Sequence, residues 1–288
     1  MLRHADPLFT RILAGTDGSP NAEEAVRQAA RLASLTGADL EVVHVRHAPG
    51  PLSSGDHAAE TTRGEEALAE AARIAAKESV PVETRLLTGD VVPLLGREAR
   101  ERWADLLVVG PDAGFWQKPR LFGQVAAHAL RDAHCSVLVA RVPDEVPGAR
   151  FPAQITCAVD GSQPALEAAR AAAHLAAAAG AELALVHAVA VSSGGGVGWT
   201  AASDQNGFEP LEPAVTVARE GGLEPTREMA LGRPEIAIVT AAQDRETDLL
   251  VVGARGLHGI RRAVLGSVSE WVARHAACSV LVARARER

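Results

Sequence analysis

The sequence predicts an α/β chain built from two repeated doubly wound domains, each with a five-stranded parallel sheet and helices on both faces. Three observations carry that prediction. Short, nearly continuous apolar runs alternate with helical patterns, as strands buried on both faces of a parallel sheet require. A single ungapped offset of 143 residues relates Asp17 to Asp160, His44 to His187, Gly89 to Gly232, Gly110 to Gly253, Gly123 to Gly266 and Cys135 to Cys278. In each half a glycine-punctuated loop then leads from the fourth apolar run into a helical pattern. At 288 residues the chain is long for one average α/β domain and suits two, each able to bury a core. The expected boundary is VPDEVPGARFP, Val142 to Pro152, a short stiff linker by its prolines, which gives domains 1–143 and 152–288.

Taken in order, the first half opens with a strand at about Arg11 to Thr16 that ends on the TDGS turn, repeated as VDGS at Val159 to Ser162. Ser19 is an N-cap and Pro20 starts a helix whose apolar stripe is Ala25, Ala29 and Leu32, with Gly37 as its stop. A strand at Leu40 to Val45, a helix at about Ala58 to Glu78, a strand near Val82 to Leu87 and a helix from Val91 to Arg102 follow. The fourth strand is Leu106 to Val109, and beyond its glycine loop come a helix near Val125 to Ala133 and a fifth strand, Val137 to Ala140. The second half repeats this order 143 residues on.

Composition removes several functions. The formal charge is −7 and no Lys/Arg run stands out, so neither nucleic acid nor an anionic membrane is an expected partner. The only lysines are Lys77 and Lys118 and there is no GxxxxGK[ST], which excludes P-loop phosphoryl chemistry. Cys135, Cys157 and Cys278 have no metal spacing and fall in or beside apolar strands, so buried reduced thiols are expected. The opening MLRHADPLFTRILAG has no long apolar run, and Ala168 to Ala181 is broken by Arg170 and His174, so the expected compartment is the cytoplasm.

The chemistry concentrates in Gly253 to Ser269, GARGLHGIRRAVLGSVS. Gly253 and Gly256 permit positive φ and close backbone approach, while Gly266, Ser267, Val268 and Ser269 put bare amides at a helix start, the geometry of a phosphate cradle. Read as G-x2-G-x9-G-S, the stretch resembles the ATP-binding loop of the universal stress protein family, and the internal repeat makes the chain resemble a tandem member. That resemblance implies strand order 3-2-1-4-5 in each domain, so that Asp160 comes close to the loop after strand 4 at the switch point. It further implies an adenine slot lined by Ala158, Val159 and Ala188, Asp160 at the adenosine end, and ATP with Mg²⁺ as the ligand. Arg255, and with it Arg261 and Arg262, could meet phosphate oxygens; His187 is read as serving the strand end. Trp199 and Gly194 to Gly196 lie in a connector that could form a lid.

The first half departs where phosphate would bind: Ala113 replaces the second glycine, Gln124 the serine, and Asp112 stands at the position of Arg255. The expected site is therefore in the second half. The expected function is a nucleotide-dependent stress or signalling regulator with little or no hydrolysis; a slow adenine-nucleotide hydrolase or transferase, and a nucleotide-free scaffold, stay open. His258 is the one acid or base within the loop.

The fifth strands, Val137 to Val139 and Val280 to Val282, are short apolar edges, and such an edge must be covered or it recruits another chain. Pairing of the two domains through them, or a homodimer, is expected. The second repeat expressed alone should then sediment as a dimer; a monomer of undiminished stability would contradict the pairing.

Overall fold

A computed structural model describes residues 8–47, 57–111, 122–142, 150–189, 205–256 and 265–285, which divide into two compact units. The N-terminal unit runs β1 Arg11–Gly15, α1 Pro20–Thr36, β2 Asp39–Arg46, α2 His57–Lys77, β3 Val82–Thr88, α3 Val91–Glu101, β4 Leu106–Val109, α4 Gln124–Asp132 and β5 Ser136–Val139. Its strands are all parallel and ordered β3-β2-β1-β4-β5. The C-terminal unit runs β6 Gln154–Ala158, α5 Gln163–Ala179, β7 Glu182–Val189, a 3₁₀ helix Gln205–Leu211, α6 Glu212–Glu220, β8 Thr226–Leu231, α7 Pro234–Asp244, β9 Leu249–Gly253, α8 Ser267–His275 and β10 Ser279–Ala283. Its order is β8-β7-β6-β9-β10, again parallel. No helix among the described residues is long and apolar enough to cross a membrane.

The helix boundaries follow from their caps. Ser19 and Ser162 sit in extended conformation and accept N–H bonds from Ala22 and Ala165 at 3.3 Å, which starts α1 and α5. Both helices stop at a left-handed glycine, Gly37 at φ 71° and Gly180 at φ 60°. Helix α5 buries eight alanines and Leu175, and these short side chains let it lie close against β6 and β9. The inner strands β4 and β9 are buried at every residue, as helices on both faces of a parallel sheet demand.

Two features shape the ends of each sheet. At the carboxyl end the central ladder stops early: β6 and β9 pair from Ile155–Leu249 to Cys157–Val251, although the strands continue to Ala158 and Gly253. The β1–β4 ladder likewise ends at Ala14–Val108. A crevice opens there in each unit, at the point where strand order reverses. At the amino end a carboxylate staples the same two strands. Asp248 accepts the N–H groups of Ala153 and Gln154 at 2.7 and 3.3 Å, and Asp105, 143 residues earlier, accepts those of Thr10 and Arg11 at 2.7 and 3.0 Å. Nothing in the sequence pattern separated these two residues from ordinary turn aspartates. The thiols are reduced, with Cys135 and Cys157 buried; Cys278, expected to be buried, is partly exposed.

Burial raises the pKa of Asp248, and its backbone N–H partners oppose that rise. The stability tied to its neutral form is therefore fully present below the usual carboxylate pKa, falls as pH climbs to the raised value, and is level above it. Urea denaturation over that window should show the difference between wild type and Asp248→Asn moving in favour of the asparagine as pH rises. A movement in the opposite direction would mean that the amide donors outweigh burial.

Candidate functional site

The crevice of the C-terminal unit is built from the two turns that leave β6 and β9. In the DGS turn, Asp160 Oδ1 accepts the N–H of Ser162 at 3.0 Å and Gly161 takes φ 81°, a left-handed conformation that a side chain would strain. The N-terminal unit repeats the turn, with Asp17 Oδ1 on Ser19 N at 2.9 Å and Gly18 at φ 77°. One oxygen of Asp160 thus shapes the turn, and the other faces the glycine loop: a Cβ added to Gly256 would lie 2.5 Å from Asp160 Oδ2. The fold does bring Asp160 to the loop after β9. Val159 is buried and donates its N–H to Val186 O at 2.9 Å; Ala158 and Ala188 stand half-buried at the ends of β6 and β7. His187 Nδ1 lies 2.7 Å from Val159 O, so the imidazole holds the strand end. Cys157, one strand residue further in, has its thiol pushed up to about 12 by burial and is inert as a nucleophile.

The loop glycines act differently from what their spacing suggested. None of Gly253, Gly256 and Gly266 occupies the left-handed region; what they supply is space. At Gly253 a Cβ would meet Pro164 O at 2.7 Å and Ala165 N at 3.0 Å, backbone atoms of the first turn of α5 that cannot move aside. At Gly256 it would displace the Asp160 carboxylate. Gly266 is the N-cap of α8, at φ −69° and ψ 145°, with its N–H on Ala254 O at 2.8 Å and ordinary clearance for a methyl group.

No side chain caps α8. The backbone amides of Ser267, Val268 and Ser269 therefore face outward from the helix start, where the dipole favours an anion. Ser267 is exposed and Val268 and Arg255 are half-buried, all at that end. Ser269 is different: it is buried, and its hydroxyl donates to Gly253 O at 2.6 Å. Its side chain ties α8 to the end of β9, leaving only its amide for a ligand. His258, Arg261, Arg262, Asp112, Ala113, Trp199 and Gly194 to Gly196 lie outside the described residues. In the N-terminal unit the loop start is looser, with a Cβ at Gly110 3.4 Å from Asn21 O, and the helix start is alike: Gly123 caps α4 without a side-chain bond and donates to Pro111 O at 2.7 Å. A cavity of about 590 Å³ is formed at the carboxyl ends of β1, β2 and β4, in the half whose loop departs from the phosphate pattern. The sequence held no signal for it, since its walls are strand-end and helix-start valines that read as core.

Two doubly wound parallel units, each opening a crevice at its switch point beside an uncapped helix start, define a tandem α/β ligand-binding architecture. The model of the universal stress protein family matches residues 8–141 and 153–284, and the chain belongs to that family. Universal stress protein Rv2623 of Mycobacterium tuberculosis is 30% identical over 297 aligned positions, covering 95% of this chain and 96% of that one. Universal stress protein MJ0531 of Methanocaldococcus jannaschii is 36% identical over 138 positions, 46% of this chain and 81% of its own. Among solved structures, a universal stress protein from Archaeoglobus fulgidus superposes with a TM-score of 0.74 over 97% of this chain and 99% of its own; at 21% identity this speaks to the fold alone.

Gly253→Ala should cost about 1–3 kcal/mol, because its methyl group meets backbone and α5 must shift. Gly266→Ala, with ordinary clearance, should cost much less, and Ser269→Ala about 1–3 kcal/mol through the buried carbonyl left without its donor. Chemical denaturation of the three variants checks that ranking.

Proposed function

We propose that the chain binds one ATP in its C-terminal unit and acts as a nucleotide-dependent stress or signalling regulator with little or no hydrolysis. The observation that carries this reading is the start of α8, uncapped by any side chain and held at the mouth of the opened β6–β9 ladder by the Gly266–Ala254 bond. An anionic chain laid there would meet the amides of Ser267, Val268 and Ser269 and the loop backbone at Gly253 and Gly256, with Arg255 beside it. The dipole adds roughly 0.3–2 kcal/mol to those direct bonds. Ala158, Val159 and Ala188 would flank the base, and Asp160 would stand at the adenosine end. Mg²⁺, where bound, would be held by phosphate oxygens and water, which it prefers to an all-protein cage.

A regulator fits better than a catalyst. Phosphoryl transfer needs a positioned base or water-orienting group and dense cationic stabilisation. The two lysines lie outside both glycine loops' C-terminal counterpart, at Lys77 and Lys118, and the His187 imidazole is committed to Val159 O. Pairing of the two repeats through β5 and β10 belongs to the same proposal, since it would couple ligand occupancy to assembly.

Calorimetry should find one ATP per chain. Gly256→Ala, which pushes the Asp160 carboxylate from its place, should weaken ATP about tenfold or more. ATP at about 100 times its dissociation constant should add roughly 2.7 kcal/mol of stability, read as a higher melting temperature. Two equivalent sites, full affinity in Gly256→Ala, or turnover within the usual enzyme range of roughly 1–1,000 per second would each overturn the reading.

A further inference from the structure

The cavity of the N-terminal unit has the volume of a small-molecule site, about 590 Å³, and walls that are mostly apolar. Val43 and Val109 come from the ends of β2 and β4, and Val91, Val92 and Leu95 from the first turns of α3. They leave a slot suited to a flat, weakly polar ring. Its charged rim is set against phosphate. Asp17 and Asp90 both line it, Asp90 as the N-cap of α3 with Oδ1 3.4 Å from Val92 N. In the C-terminal unit the residue at the position of Asp90 is Arg233, which also stands at the cap of its helix, α7. At the loop position where that unit carries Arg255, the N-terminal half has Asp112. Two arginines of one repeat are thus two aspartates of the other.

Ionised carboxylates accept hydrogen bonds and cannot donate them, so the ligand atoms that meet Asp17 and Asp90 must be hydroxyl or amino donors. A phosphate oxygen there would meet like charge in partly desolvated surroundings, where repulsion is sharpened. The cations at the rim are already engaged with the protein: Arg46 donates to Thr88 Oγ1 at 2.8 Å and Thr61 Oγ1 at 2.7 Å, and Arg63 to Ala59 O at 3.2 Å. His44, also in the lining, has its pKa lowered by burial, against the opposing influence of the Thr16 backbone and Asp17, and so favours the neutral form.

We infer that the N-terminal cavity is a second ligand site selective for an uncharged nucleoside, a flat base carrying sugar hydroxyls and no phosphate. The choice of a nucleoside rests on the nucleotide reading of the C-terminal unit; the polarity of the cavity does not. One chain then senses two adenine ligands of opposite character, the triphosphate in one half and the bare nucleoside in the other.

The full chain titrated by calorimetry with adenosine and, separately, with ATP tests this. Val92→Trp fills the slot from a half-buried position on the first turn of α3. It should weaken adenosine about tenfold or more while leaving ATP affinity unchanged. Asp90→Arg installs the residue that the other unit carries at the same cap, so the fold is retained, and it should narrow the preference for adenosine over ATP. Adenosine affinity unchanged in Val92→Trp, ATP displaced by that variant, or a preference unmoved by Asp90→Arg would overturn the inference. Loss of ATP binding throughout, with adenosine still sensitive to Val92→Trp, would remove the C-terminal reading and support this one.

Discussion

At Gly253 the backbone of β9 runs so close to the first turn of α5 that no side chain fits between them, and much of the C-terminal unit follows from that approach. The alanines of α5 allow the helix to reach the sheet. The carbonyl of the same glycine then takes the Ser269 hydroxyl, which fixes where α8 begins. The start of α8 in turn decides which amides face the crevice. A strand end, a helix face and a helix start are thus set by one residue without a side chain.

The repeat, the order of elements and the caps at Ser19, Ser162 and Gly37 were legible because each has a local chemical requirement that few residue types meet. The loop was legible as a place but less so as a mechanism. A glycine in a sequence announces a missing Cβ, and the pattern cannot say whether the chain uses the freed torsion or the freed space; at Gly253 and Gly256 it uses space. Ser269 read as a ligand group because helix-start hydroxyls often are, and only the approach of the Gly253 carbonyl shows where its proton goes. Asp105 and Asp248 stayed hidden for a related reason. Their partners are backbone amides about 95 residues away, which no local pattern displays.

Membership of the universal stress protein family covers both halves, yet the halves do not present the same chemistry at their crevices. The N-terminal unit keeps the uncapped helix start and the opened ladder, and changes the charges around them. The positive end of α4 and the carboxylates of Asp17 and Asp90 pull in opposite directions across one cavity. Shape alone would have assigned the two crevices to one ligand; the signs of the side chains separate them.

The aspartate staples lie at the opposite ends of the sheets from the crevices, and both halves keep them in the same place. A duplicated domain anchored in this way has a fixed base and a permissive rim. Substitutions around the crevice can accumulate in one copy without disturbing the strand register on which either copy depends. The duplication therefore gives the chain two independently tunable detectors on a shared chassis, so that a shift in what one half recognises need not compromise the other.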